Sequence, residues 1–130
     1  MSPKPDIYLN KKQTVERCLS RIAEHYDGTL VSLEDLDHQD IIILNLQRAC
    51  QAVADYGNHL ISTHQYRNPQ SGKETYKILE QEGHLTPELS STLQSMVGFR
   101  NLAVHQYQDL DLEILKAILE NYLPSLLEIF

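Results

Sequence analysis

DHQDIIILNLQRACQAVADYGNHLIST, residues 37–63, reads as one long helix and decides the fold class. Asp37 is a good N-cap, and Asp40 places a negative charge in the first turn, where the helix dipole favours it. At 1.5 Å per residue the stretch is about 40 Å long. Ile41-Ile42-Ile43-Leu44 is apolar on several faces, so this helix needs neighbours on more than one side. Gly57 lies inside it at a cost of about 1 kcal/mol against alanine. A close approach by another helix accounts for such a residue.

The flanking segments follow the same period. Val15, Cys18, Leu19, Ile22 and Tyr26 recur at spacings of three and four, predicting a first helix from Ile7 to Tyr26. Asp27-Gly28 ends it, with Gly28 suited to a left-handed cap. Residues 64–72, with Asn68-Pro69-Gln70-Ser71-Gly72, are dense in turn formers. Ser71 and Glu74 have capping-box spacing for a short helix ending at Gly83. Thr86-Pro87 starts a further helix through Leu89, Leu93, Met96 and Val97 to His105. Asp109 or Asp111 opens the last one, which Pro124 should kink by removing a backbone donor. The expectation is all-α, a bundle of four main helices plus one short helix, in a single domain over residues 1–130.

Composition excludes several classes. With 130 residues, 42% hydrophobic and 22% charged, the chain suits one folded domain. Cys18 and Cys50 are too few for a disulfide scaffold and lack zinc-ligand spacing, so both read as buried apolar residues. The start Met1-Ser2-Pro3-Lys4-Pro5-Asp6 lacks the apolar run of a signal peptide, and Ile41–Leu44 is far too short to span a membrane. A cytoplasmic protein is expected, with no membrane partner. The net charge is −7, with +1 over residues 1–27 and −8 over residues 28–130. Such a chain offers no broad basic face for DNA, while a small local phosphate site is allowed. Lys11, Lys12, Arg17 and Arg21 spread around the first helix and read as solvated surface.

Chemistry concentrates in Gly98-Phe99-Arg100-Asn101-Leu102-Ala103-Val104-His105-Gln106-Tyr107. At about 100° per residue, Asn101 lies about 100° from Arg100, His105 about 140° and Tyr107 about 340°. Arg100 and Tyr107 therefore share one face, and Asn101 and His105 share another, within hydrogen-bonding reach. Arg100 and His105 of one chain do not converge; two such helices meeting across a two-fold axis would bring two Arg/His pairs into one cleft, which favours a homodimer. RNA carries its own nucleophile, the 2′-hydroxyl. A histidine that titrates near neutrality can take its proton or give one to the leaving oxygen, and the arginine fork stabilises the phosphoryl oxygens. This chemistry needs no metal and no cofactor. On the residues alone, a second account stands beside it: Arg100 paired with an acidic neighbour and His105 at a helix end.

The run from Met96 to Tyr107 resembles the signature of the HepT-like toxins of the HEPN superfamily: Arg, four residues, His, one residue, Tyr. All three fixed positions match, and Asn101 follows the arginine. The long helix with Asp55 and His59, the proline-bearing loop, the short helix ending at Gly83 and the apolar C-terminal helix agree with it as well. The resemblance implies a dimerising HEPN bundle with a shared cleft and a metal-independent endoribonuclease. Arg100 and His105 would carry RNA cleavage, supported by Asn101. It also implies an MntA-like nucleotidyltransferase antitoxin that neutralises the toxin by AMPylation of Tyr107. A nucleotide attached on the Arg100 face would fill the cleft and place negative charge where RNA phosphate binds.

Asp55 and His59, four apart on one face, either line the cleft or pair with each other. His25, His38, His64 and His84 lie near helix ends or loops and read as solvated. His59 and His64 are five apart, wrong for two ligands on one helical face, so no metal site is expected. A reading of another class remains, a non-catalytic helical subunit that binds nucleotide or docks a nucleotidyltransferase. In that case substitutions at Arg100 and His105 would alter binding alone.

Overall fold

The computed structural model describes residues 6–105 and 111–130, with side chains for 6–99 and 111–130. The described chain is helical, in the order α1 (Ile7–His25), α2 (Leu30–Glu34), α3 (Leu36–Thr63), α4 (Gly72–Gln81), α5 (Pro87–His105), α6 (Leu112–Asn121) and a terminal 3-10 helix (Leu123–Ile129). The all-α bundle expected from periodicity is the one observed. Several elements depart from expectation. The one-turn helix α2 was not anticipated; the Thr29 side chain caps it by accepting from the Ser32 amide at 3.3 Å. The last helix ends at Asn121, and Pro124 lies in the first turn of the 3-10 helix that replaces it. There the missing amide is tolerated.

The central helix α3 begins two residues earlier than its sequence suggests. Asp35, not Asp37, is its cap, accepting from the amides of Asp37 at 2.9 Å and His38 at 3.1 Å. Both positions carry aspartate, so local sequence does not separate them; the placement of α2 immediately before does. As its apolar start requires, α3 meets α1, α2, α4, α5 and the terminal 3-10 helix. Ile42 and Ile43 are buried, whereas Leu44 is 44% exposed.

Gly57 meets its close neighbour. A Cβ added there would stand 3.2 Å from Thr75 Cγ2 on α4. Ser71 caps α4 by accepting from the Glu74 amide at 3.2 Å, but the return bond of the capping box slips by one residue. The Glu74 carboxylate accepts from the Gln70 amide instead, and from Arg67. Gly83 has φ of +82° and closes α4, its amide donating to the Glu80 carbonyl and that of His84 to the Leu79 carbonyl, the left-handed exit its position suggested. Gly28 has φ of +93° but does not cap α1, which ends at His25 and leaves in extended conformation at Tyr26. Cys18 and Cys50 are buried and unbridged. Among the described residues, no helix is long and apolar enough to cross a membrane.

Candidate functional site

The helix α5 carries the Arg100–His105 segment, and the rest of the fold holds α5 along its length. Thr86 Oγ1 accepts from the Leu89 amide at 3.1 Å at its start. Ser90 is fully buried and donates its hydroxyl to the Tyr76 carbonyl at 3.2 Å, tying α5 to α4. Leu93, Met96 and Phe99 enter the core. A Cβ on Gly72 would stand 3.2 Å from Val97 Cγ1. A cavity of about 20 Å³ separates α5 from α3, lined by Cys50, Val53, Leu93, Met96 and Val97 among others.

These contacts fix direction. Gly72 meets Val97 and Tyr76 meets Ser90, so α4 and α5 run antiparallel. Gly57 meets Thr75 and His64 meets His84, so α3 and α4 run parallel. It follows that α5 runs antiparallel to α3, and its last turns point toward the N-terminal half of α3. Arg100, Asn101 and His105 fall in those last turns. Their side chains, and Tyr107, lie outside the described residues.

Asp55 and His59 take separate partners. The Asp55 carboxylate accepts from Gln51 Nε2 at 2.8 Å and from Lys11 Nζ at 3.2 Å, which joins α3 to α1. His59 Nε2 stands 3.4 Å from Thr63 Oγ1, and its ring lies 6.4 Å from that of Tyr56. Tyr56 also stacks on Phe130 at 4.8 Å, and burial pushes its hydroxyl pKa up.

The expectation of solvated histidines needs correction at His25 and His38 and stands at His64 and His84. Nδ1 of His25 lies 2.9 Å from Nδ1 of His38, and both rings are half-buried between the end of α1 and the start of α3. His64 and His84 are exposed but flank Tyr66, whose hydroxyl is 2.8 Å from His84 Nε2. Among the described residues, no three His, Cys, Asp or Glu side chains gather as a metal-binding group.

The basic residues of α1 do not behave alike. Lys11 pairs with Asp55, and Lys12 sits 5.6 Å above the Tyr8 ring. Arg17 and Arg21, the latter paired with Glu24, line with Arg48 of α3 an open groove of about 430 Å³. The first helix by itself hides this grouping, because the third arginine lies far along the chain.

A family model described as Ribonuclease HepT-like matches residues 15–130. The mRNA nuclease HepT of Shewanella oneidensis is 41% identical over 120 residues, covering 92% of this chain and 90% of that protein. The tRNA nuclease HepT of Aphanizomenon flos-aquae is 32% identical over 108 residues, covering 82% and 74%. The solved structure of the tri-AMPylated Shewanella oneidensis HEPN toxin in complex with MNT antitoxin superposes with a TM-score of 0.88 at 39% identity, covering 97% of this chain and 95% of that one. By sequence over nearly its whole length and by fold, the chain belongs to the Ribonuclease HepT-like family.

Proposed function

We propose that the chain is the toxin of a HEPN/MNT toxin–antitoxin pair, a metal-independent endoribonuclease that works in the cytoplasm as a homodimer of one HepT-like domain, residues 1–130. The observation that carries this reading is the Arg100-x4-His105-x-Tyr107 spacing at the end of α5, in a chain of the HepT-like family. The nuclease names of the two HepT relatives support it.

The RNA 2′-hydroxyl attacks the adjacent phosphorus, the bond to the 5′ oxygen breaks, and a 2′,3′-cyclic phosphate remains. His105 accepts the 2′-hydroxyl proton or donates one to the departing 5′ oxygen. Arg100 binds the phosphoryl oxygens as charge develops on them, and Asn101 holds the histidine. Asp55, held by Lys11 of α1, and His59, beside Thr63, take no part in this cleavage step. A cognate nucleotidyltransferase neutralises the toxin at Tyr107: the phenol oxygen attacks the α-phosphorus of ATP, and pyrophosphate leaves. AMPylation of the Shewanella toxin and its complex with MNT antitoxin support this partner.

The test is cleavage of total RNA in excess chelator by unmodified protein beside its His105→Ala form, with intact mass showing that Tyr107 carries no adduct. Cleavage by the wild type alone, leaving cyclic phosphate or 3′-phosphate ends, is the expected result. No cleavage by either protein would replace this reading with that of a nucleotidyltransferase-docking subunit.

A further inference from the structure

The groove between α1 and α3 belongs to no part of that mechanism. Thr14, Arg17, Cys18 and Arg21 line one wall, and Ile41, Leu44, Asn45 and Arg48 the other. Each set follows the i, i+3, i+4, i+7 spacing of a single helical stripe. No acidic side chain lines the groove, in a chain with a net charge of −7. Three of the chain's five arginines meet there. Arg21 pairs with Glu24 of its own helix. Arg17 and Arg48 make no ion pair among the described residues, and both act on the Cys18 thiol between them. At its ends the seam is closed, by Lys11–Asp55 on one side and His25–His38 on the other.

We propose that this groove binds the phosphate backbone of single-stranded RNA flanking the cleavage site, with Arg17 and Arg48 as the principal contacts and Arg21 in support. Guanidinium forks on both walls suit phosphate oxygens and stack on bases. Ile41 and the half-exposed Leu44 offer apolar surface between them. The groove residues of α3 lie about 170° around that helix from Cys50, Val53 and Ala54, which face α5. A helix diameter of about 10–12 Å separates the two faces, a distance that a short run of flanking nucleotides spans. The groove therefore acts on RNA affinity rather than on the chemical step. The inference rests on the ribonuclease reading.

The experiment is fluorescence anisotropy with a labelled single-stranded RNA of about 20 nucleotides (a length that spans both faces). It is read across a salt series, in chelator, in the His105→Ala background so that RNA is bound and not cut. Adding Arg17→Gln and Arg48→Gln should weaken binding by about tenfold or more and flatten the log K against log salt slope by about 1.4, the value for two lost phosphate contacts to a single strand. In the cleaving protein the same pair should raise KM and leave kcat within about twofold. Leu44→Lys, at a position 44% exposed, should strengthen binding and steepen the slope by about 0.7. Undetectable RNA binding by the parent, or affinity and slope unmoved by the substitutions, overturns the proposal. So does retained RNA affinity with loss of the nucleotidyltransferase complex or a changed oligomeric state, which would make the groove a protein interface. A wild type that never cleaves RNA sinks the ribonuclease reading instead, and the binding readout stands apart from it.

Discussion

Thr75 Cγ2 stands 3.2 Å from the point a Cβ would occupy on Gly57, so α4 rests directly against the backbone of α3. Thr75 cannot easily turn away. It is buried, and its hydroxyl donates to Asn58 Oδ1 at 2.9 Å. Leu79 and Tyr76 close the same space at 3.5 and 3.6 Å. Gly57→Val should therefore destabilise the fold by about 1–3 kcal/mol despite the better helix former. Urea unfolding measures this. The loss should shrink when Thr75→Ser removes the crowded methyl in the same chain, a coupling that a double-mutant cycle isolates.

The two aspartates at the start of α3, Asp35 at its cap and Asp37 in its first turn, predict losses of different size. Asp35→Ala removes the acceptor for two amides and should cost about 0.5–2 kcal/mol. Asp37→Ala, in the first turn, loses only a favourable dipole contact, about 0.3–1 kcal/mol. Thermal denaturation of the two variants ranks them; a larger loss at Asp37 would put the cap back where the sequence suggested it.

Lys116 and Glu120 give a pH signature. Lys116 Nζ donates to the Glu120 carboxylate, to the Tyr26 hydroxyl at 3.3 Å and to the Gly28 carbonyl at 3.2 Å. The hydrogen bond from Lys116 holds the Glu120 carboxyl below its ordinary value, and the bond to Glu120 raises Lys116. The contribution of Glu120 is present above the unfolded carboxylate pKa and lost as pH falls through the depressed one. That of Lys116 is full below its unfolded pKa and lost as pH rises through the raised one. Glu120→Gln should therefore lower Tm slightly at pH 7, and the difference should fade as pH falls through the depressed carboxyl pKa, and in 1 M salt.

Burial raises the pKa of the Cys18 thiol, against the pull of Arg48 and then Arg17. A thiol so placed is a poor nucleophile. In native protein Cys18 should react with Ellman's reagent far more slowly than a free thiol, and should reach full reactivity in guanidinium. Fast native labelling at Cys18 would mean that the α1–α3 seam opens readily.

Tyr107→Phe removes the oxygen that would accept AMP. With the cognate nucleotidyltransferase and ATP, wild type should gain mass in AMP steps and lose RNA cleavage, and the variant should gain no mass. A Tyr107→Phe protein that is still modified would place the acceptor elsewhere.

The motif was legible because its chemistry sits in one short stretch, Arg100 to Tyr107, at a spacing that a single helix dictates. The arginine groove was not. Arg17 and Arg48 are 31 positions apart, and only the antiparallel seating of α1 on α3 joins them. The histidines misled for the same reason. His25 closes α1 and His38 lies in the first turn of α3, where solvent is the ordinary neighbour, until the short turn through α2 brings them together.

Sequence alone determined the helical fold class, the left-handed exit at Gly83, the close contact at Gly57 and the family. These follow from periodicity, from backbone freedom and from residues adjacent in the chain, all of which are local. Tertiary structure decided which of two aspartates caps α3, where the Glu74 carboxylate bonds, that Pro124 opens a 3-10 helix, and that Arg17 and Arg48 line one groove. Those outcomes depend on which helices pack side by side and in which direction, and packing is set by the burial of the whole apolar surface at once.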